Sequence, residues 1–185
     1  MENFKSVGKN VTVHSLAKII CPENISIGDE SVIDDFTFLY ATGKGIEIGK
    51  FCHIIVHSTL MAGGKIKIDD FSTIAPGCMI FAETDDYINS GLVGLKVFDE
   101  EYRKLIKMDV TIQKHVHIGA GCIIMPGVTI GEGTTVGAGS IVTKSLPVWS
   151  ICYGVPCKAM KDRISMRQKQ IEMEKKFLEK YYKGK

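Results

Sequence analysis

The stretch Ile112-Gln-Lys-His-Val-His-Ile118-Gly-Ala-Gly-Cys-Ile-Ile124-Met-Pro-Gly-Val-Thr-Ile130-Gly-Glu-Gly-Thr-Thr-Val136-Gly-Ala-Gly-Ser-Ile-Val142 places an aliphatic residue at every sixth position. An amphipathic helix repeats at 3.6 residues, so it does not fit this step. A fixed period is the mark of a repeat architecture. Working upstream, the same step recurs in triplets: Val7, Val13, Ile19; Ile27, Ile33, Leu39; Ile48, Ile54, Leu60; Ile68, Ile74, Ile80. Between triplets the spacing stretches to eight or nine residues, and once to 32.

A second position confirms the period. Four residues after the aliphatic one stands a small or β-branched residue: Ser31, Thr37, Cys52, Ser58, Ser72, Cys78, Cys122, Val128, Thr134 and Ser140. Gly or Asp often follows the aliphatic residue directly, as at Gly28, Asp34, Gly49, Asp69, Gly119, Gly131 and Gly137. Six residues make one short strand and one turn, and alternate strand residues face the same side. Gly, Asp and Asn are expected to supply the positive φ that the turns need. Three units close a triangular coil, and stacked coils join their aliphatic residues into one column. The expected fold class is therefore all-β: a parallel β-helix of about six coils, with an inserted loop and a C-terminal α-helix.

Length and composition agree. The 185 residues suit one domain, with 45% apolar and 24% charged residues. Nineteen Gly with only 8% aromatic residues and a single Trp, Trp149, point to many tight turns around an aliphatic core. A net charge of +2 gives no argument for a nucleic-acid partner. No apolar run is long enough to span a membrane, and the first residues lack the apolar segment of a signal peptide. The six Cys form no C-x-x-C pair. Reduced thiols and a cytoplasmic location are expected, with Cys52, Cys78 and Cys122 as small core residues.

The domain expected over 1–157 is the β-helix, interrupted by an insertion loop at 81–110. That loop carries Asp85-Asp86-Tyr87 and the charged stretch Asp99–Lys104. Long loops on a rigid scaffold are commonly functional. Residues 158–185 are expected to form a C-terminal helix and basic tail. The spacing of Ile164, Ile171 and Leu178 predicts a helix over 160–183 that caps the open end of the prism. From residue 157 onward there are ten Lys and Arg against four Asp and Glu, while the remainder is net negative.

The six-residue pattern resembles that of the hexapeptide-repeat acyltransferases, which implies a left-handed winding. The text Val136-Gly-Ala-Gly-Ser-Ile-Val-Thr-Lys-Ser-Leu-Pro147, followed by Tyr153-Gly-Val-Pro-Cys-Lys158, is similar to the C-terminal signature of their galactoside and xenobiotic acetyltransferase branch. That resemblance implies an acetyl-CoA groove lined by Gly119, Ala120, Ala138, Thr143 and the Val155-Pro156 turn. Small residues there let a pantetheine arm lie against the backbone. Lys144, Lys158, Lys161 and Arg163 are candidates for the CoA phosphates by charge. It also implies a homotrimer with active sites between subunits.

In the galactoside branch a loop His is the general base; here Asp85 stands at the matching place. The segment Ala82-Glu-Thr-Asp-Asp-Tyr87 instead resembles the dTDP-4-amino-4,6-dideoxyglucose N-acetyltransferases. A sugar hydroxyl needs a base with pKa near neutrality, which an ordinary carboxylate is not. A neutral amine needs orientation and only a modest acceptor. The candidate catalytic residues are thus Asp85 and Asp86, with His57 and His53 as the alternatives if a His is the base. Glu83 and Tyr87 are candidates for the substrate. His53 and His117 are expected on one outward face, with Thr73 between them. Zinc enzymes of this fold use a His-x4-His spacing that is absent here, so no metal is expected. The implied reaction moves acetyl from acetyl-CoA to a dTDP- or UDP-linked amino deoxysugar for surface polysaccharide. The rival readings are a sugar or polysaccharide O-acetyltransferase and a non-catalytic solenoid.

Overall fold

The computed structural model describes residues 3–88, 91–94, 97, 99 and 101–183. The other positions of the insertion, including Glu100 of its charged stretch, and the last two residues of the basic tail lie outside the described residues.

The chain winds through six complete coils and begins a seventh. The strands of the first four coils are β1 (Ser6–Val7), β2 (Thr12–Val13), β3 (Lys18–Ile20), β4 (Ile25–Ile27), β5 (Val32–Ile33), β6 (Phe38–Tyr40), β7 (Ile46–Ile48), β8 (His53–Ile54), β9 (Thr59–Met61), β10 (Ile66–Ile68), β11 (Thr73–Ile74) and β12 (Met79–Phe81). The insertion adds β13 (Glu83–Asp85) and β14 (Leu105–Lys107). Coils five and six contain β15 (Val110–Ile112), β16 (His117–Ile118), β17 (Ile123–Ile124), β18 (Thr129–Ile130), β19 (Thr135–Val136) and β20 (Ile141–Val142). The seventh holds β21 (Ser150–Gly154) and β22 (Cys157–Asp162), and α1 (Arg167–Lys183) ends the chain.

Three parallel sheets form the prism. The first face is β1-β4-β7-β10-β15-β18, the third is β3-β6-β9-β12-β17-β20, and the second is β2-β5-β8-β11-β16-β19-β21, edged by antiparallel β22. Register follows the repeat: Ile33, Ile54, Ile74, Ile118 and Val136 stand one above another. From the second coil upward every one of the periodic aliphatic residues is buried; those of the first coil are half-buried at the open end. The small residues four positions later are buried as well, Cys52, Cys78 and Cys122 among them. Each fully buried Ile or Leu contributes about 1.5–3 kcal/mol, so the column dominates stability. All six Cys are free thiols.

The turns depart from the expected chemistry. The Gly that follows the aliphatic residue does not supply the positive φ. A Cβ on Gly28 would lie 2.6 Å from Gly49 C, and one on Gly119 would lie 2.6 Å from Ala138 N. These glycines are needed because the next coil's backbone passes too close for a side chain. The left-handed residue comes two positions later and is often aromatic. On the first corner, between the first and second faces, it is Asn10, Glu30, Phe51, Phe71, His115, Gly133 and Trp149. On the second corner, between the second and third faces, it is Phe36, His57, Gly77, Gly121 and Gly139. Carboxylates stitch coil to coil: the N–H groups of Lys9, Lys50 and Lys65 donate to Asp29, Asp70 and Asp109 at 2.8, 2.7 and 2.9 Å.

The C-terminal segment also differs. Residues 157–162 form β22 rather than helix, because the Val155-Pro156 turn reverses the chain onto the free edge of β21. The helix starts at Arg167, leaving Ile164 half-exposed ahead of it. It runs down the first corner instead of capping the open end, because that corner offers an aromatic ladder. Phe51 and Phe71 stack at 4.8 Å, Phe71 and His115 at 5.4 Å. Phe177 and Tyr181 meet Phe51 edge-on at 5.4 and 5.6 Å. Glu174 joins Lys114 at 2.6 Å and the buried His115 at 2.8 Å, and Tyr181 reaches Glu30 two coils below Phe71. At the top, the Trp149 ring lies over Gly133, where a Cβ would come within 2.5 Å of it.

Gly133→Ala is therefore expected to lower unfolding free energy by about 2–4 kcal/mol, from overpacking and left-handed strain together. Gly77→Ala, with the same strain but no atom within 4 Å of the new Cβ, should cost only about 1–2 kcal/mol. Paired denaturant melts measure both.

Candidate active site

Two groups of residues stand on opposite edges of the third face. At the third corner, where the chain leaves the third face for the next coil, the insertion departs after β12. It folds back as an antiparallel hairpin in which Asp85 pairs with Leu105 and Glu83 with Lys107. The hairpin and the adjacent coils enclose a cleft of about 340 Å³ lined by Met61, Phe81, Glu83, Asp85, Arg103 and Met125, among others. A larger cavity, of about 620 Å³, lies away from these groups, between α1 and the ring ladder of the first corner.

Asp85 is held on both oxygens. The Arg103 Nε–H donates to Oδ1 at 2.6 Å, and the Gly94 N–H donates to Oδ2 at 3.3 Å. The Arg103 guanidinium beside Asp85 holds its carboxyl below the usual carboxylate range. Glu83 lies over Gly63, where any Cβ would collide with its carboxylate. Asp86 is buried: its N–H donates to Lys104 O at 2.8 Å, and its Oδ1 accepts the Ile88 N–H at 3.3 Å. Tyr87 is 69% exposed and does not line the cleft. Arg103, Phe81, Met61 and Met125 were not singled out by sequence reasoning. Arg103 lies within the charged stretch Asp99–Lys104, but its partner is set by hairpin register, which follows no repeat.

The second corner carries the other group. Ala120, Gly121, Ala138 and Gly139 are exposed there, with Gly119 half-buried below them. A Cβ on Gly77, Gly121 or Gly139 would meet nothing within 4 Å. The corner is a bare trough. Tyr153 covers Gly137, and the Gly154 N–H donates to Ser140 Oγ at 3.1 Å, which sets the exposed Val155-Pro156 turn at the trough's upper end. Gly119, Ala120, Ala138, Val155 and Pro156 thus share one edge, with Lys158 close by, paired with Tyr153 across the hairpin. Lys161 pairs with Ile151 further back. Thr143 and Lys144 are exposed just after β20, at the third corner. Arg163 belongs elsewhere: its guanidinium lies 5.9 Å over the Trp149 ring and donates to Thr135 and Gln170.

The His residues divide likewise. His53, Thr73 and His117 stand in register on the second face, and His53 Nε2 lies 2.9 Å from Asp34 Oδ1. His57 is on the second corner, stacked on Phe36. Among the described residues no His lines the cleft. Among the described residues no three His, Cys, Asp or Glu side chains converge as a metal set. No helix among them is long and apolar enough to cross a membrane.

Residues 109–144 match the family model described as bacterial transferase hexapeptide (six repeats). The dTDP-4-amino-4,6-dideoxy-D-glucose acyltransferase of Escherichia coli is 34% identical over 174 residues, covering 94% of this chain and 88% of its own length. The chain belongs to the hexapeptide-repeat acyltransferases. AntD, an N-acyltransferase from Bacillus cereus solved with dTDP and 3-hydroxybutyryl-CoA, superposes with a TM-score of 0.88 at 37% identity, over 97% of this chain and 93% of that one. An AntD variant was solved with dTDP-4-amino-4,6-dideoxyglucose and coenzyme A. Galactoside O-acetyltransferase of E. coli strain K12 is more distant, 28% identical over 74% of this chain and 63% of its own.

The Asp85–Arg103 pair has a signature in pH. With its pKa depressed, Asp85 stays ionised through neutral and mildly acidic pH. The stability the pair contributes is present above the ordinary carboxylate range and lost as pH falls through the depressed value. Arg103→Met removes the cause, so the carboxyl pKa rises toward normal. The Asp85 carboxyl, followed directly by carbon NMR, is expected to titrate at higher pH in Arg103→Met than in the unaltered chain; an unchanged titration contradicts the assignment.

Proposed function

We propose that the chain transfers an acyl group, acetyl in the simplest case, from acyl-CoA to the amino group of a nucleotide-linked amino deoxysugar. The observation that carries this is the Asp85 carboxylate, held as an anion by Arg103 in a cleft that, among the described residues of the chain, no His lines. A carboxylate with a lowered pKa cannot take a proton from a sugar hydroxyl at neutral pH. It suits an amine. Asp85 accepts a hydrogen bond from the acceptor N–H, aims the nitrogen lone pair at the thioester carbon, and stabilises positive charge as it develops on nitrogen. The amine attacks in its neutral form. The new C–N bond forms, the C–S bond breaks, the nitrogen loses a proton to solvent, the departing sulfur takes one up from solvent, and CoA leaves as the thiol. AntD, solved with both dTDP and an acyl-CoA, supports this ternary arrangement.

The donor is assigned to the second-corner trough, over Gly119, Ala120 and Ala138 and under the Val155-Pro156 turn, with Lys158 available to a phosphate. Arg163 is left to hold the tail on Trp149. Trough and cleft are separated by β12, whose three residues span about 10 Å at roughly 3.3 Å each. One chain therefore does not bring its own donor and acceptor groups together. A homotrimer with each site built between neighbours supplies the missing proximity. The free thiols and the CoA donor suit the cytoplasm, and the product suits surface polysaccharide such as O-antigen.

Thiol release from acetyl-CoA is expected with dTDP-4-amino-4,6-dideoxyglucose as acceptor, and Asp85→Asn should lower kcat/KM about a hundredfold, the scale of lost orientation. Turnover on a free glycoside and on no nucleotide amino sugar, abolished by His57→Ala but not by Asp85→Asn, contradicts the reading in favour of O-acetylation.

A further inference from the structure

Two corners carry bulky residues in the left-handed backbone region, and only one has a packing reason for them. On the first corner, rings of Phe51 and Phe71 are met by Phe177 of α1, His115 by Glu174, and Trp149 by Arg163. On the second corner, Phe36 and His57 hold the same conformation, at φ 59° and 63°. Their rings stack on each other at 5.2 Å and 13°. Phe36 is nonetheless 55% exposed and His57 is exposed, and among the described residues neither ring has another aromatic neighbour. Side chains disfavour this region, and coils four to six use Gly77, Gly121 and Gly139 at the same turn. The rings are thus kept against backbone preference while largely exposed. Next above His57 in the column stands Gly77, beyond which lies open space. The imidazole's upper side faces an unfilled position at the lower end of the trough.

We propose that Phe36 and His57 form a stacking platform for the pyrimidine base of the acceptor's nucleotide. This rests on the acyl-transfer reading above and adds where the nucleotide end is held. Stacking recognises the π-face common to every base. A planar base laid on His57 continues the ladder Phe36–His57 upward to the level of Gly77. Donor and nucleotide then occupy one edge end to end, the pantetheine on the glycines and the base on the rings. The acceptor's diphosphate spans from the platform toward the sugar. His57 acts here as a flat surface and takes no proton.

Phe36→Gly and His57→Gly install the residue that the higher coils use, so their melting temperatures should equal or exceed that of the unaltered chain. By titration calorimetry each should weaken dTDP binding about tenfold or more, the scale of one stacked base, with coenzyme A affinity unchanged. His57→Phe should restore the dTDP affinity that His57→Gly loses. Unchanged dTDP affinity in both glycine variants overturns the platform while leaving the acyl-transfer reading intact. Failure of Phe to rescue position 57 also overturns it, since stacking needs only the ring. Loss of dTDP affinity together with a change of oligomeric state assigns the rings to a contact between copies and overturns it as well. An unaltered chain that binds neither dTDP nor coenzyme A overturns the underlying reading instead.

Discussion

Everything in this molecule depends on coils lying directly on one another. Each strand of the first six coils has two or three residues and no stability alone. It is held because backbone N–H groups donate to the coil next to it, as Thr73 N–H donates to Val116 O at 2.9 Å and His117 N–H to Thr134 O at 3.1 Å. Straight strands stack easily; corners do not. From the second coil upward the first and second corners bend at a left-handed residue, and where the next backbone presses closest, as at Gly28, Gly49 and Gly119, the residue lacks a Cβ. Residues 16 to 21 apart in sequence, or 44 apart across the insertion, then share a column. Chemistry in such a protein is organised by column, and a residue's neighbours in sequence matter less than its neighbours one coil away.

The period was legible because it is a property of spacing, and the aliphatic and small core positions followed from it. The corners were only half legible. Gly28, Gly49 and Gly119 stood out, but their role is close approach, not bending. Phe51, Phe71 and His115 read as scattered aromatic residues until the stacking aligned them into a ladder. That ladder also explains the helix. Heptad spacing of Ile164, Ile171 and Leu178 suggested a cap on the prism, yet Glu174, Phe177 and Tyr181 make the contacts, because what they meet is a wall of rings and one buried His. In the insertion, Asp85 was legible from resemblance and from the chemistry of amines. Arg103 was not: the two stand eighteen positions apart in a segment with no repeat, and the hairpin brings them together.

The electrostatics of that pair decide between chemistries. An unpaired carboxylate in an apolar cleft would rise in pKa and begin to resemble a general base. Arg103 pushes Asp85 the other way, toward a fixed acceptor of hydrogen bonds. Such a group does little for a hydroxyl nucleophile and a good deal for an amine that needs only aiming. The donor trough, by contrast, contributes shape: exposed backbone at Gly121 and Gly139 with nothing beyond it.

These two elements lie on different edges of one face, so the account requires two copies of the chain to complete one site. The direct measurement is complementation. Asp85→Asn disables the acceptor side, and Gly121→Phe fills the trough with a residue that the equivalent turn of the second coil already accommodates as Phe36. Each variant alone should be inactive, and the two unfolded and refolded together should regain acyl transfer, because some neighbours then pair an intact cleft with an intact trough. A mixture that assembles normally and stays inactive would place the whole site within a single chain and contradict the account.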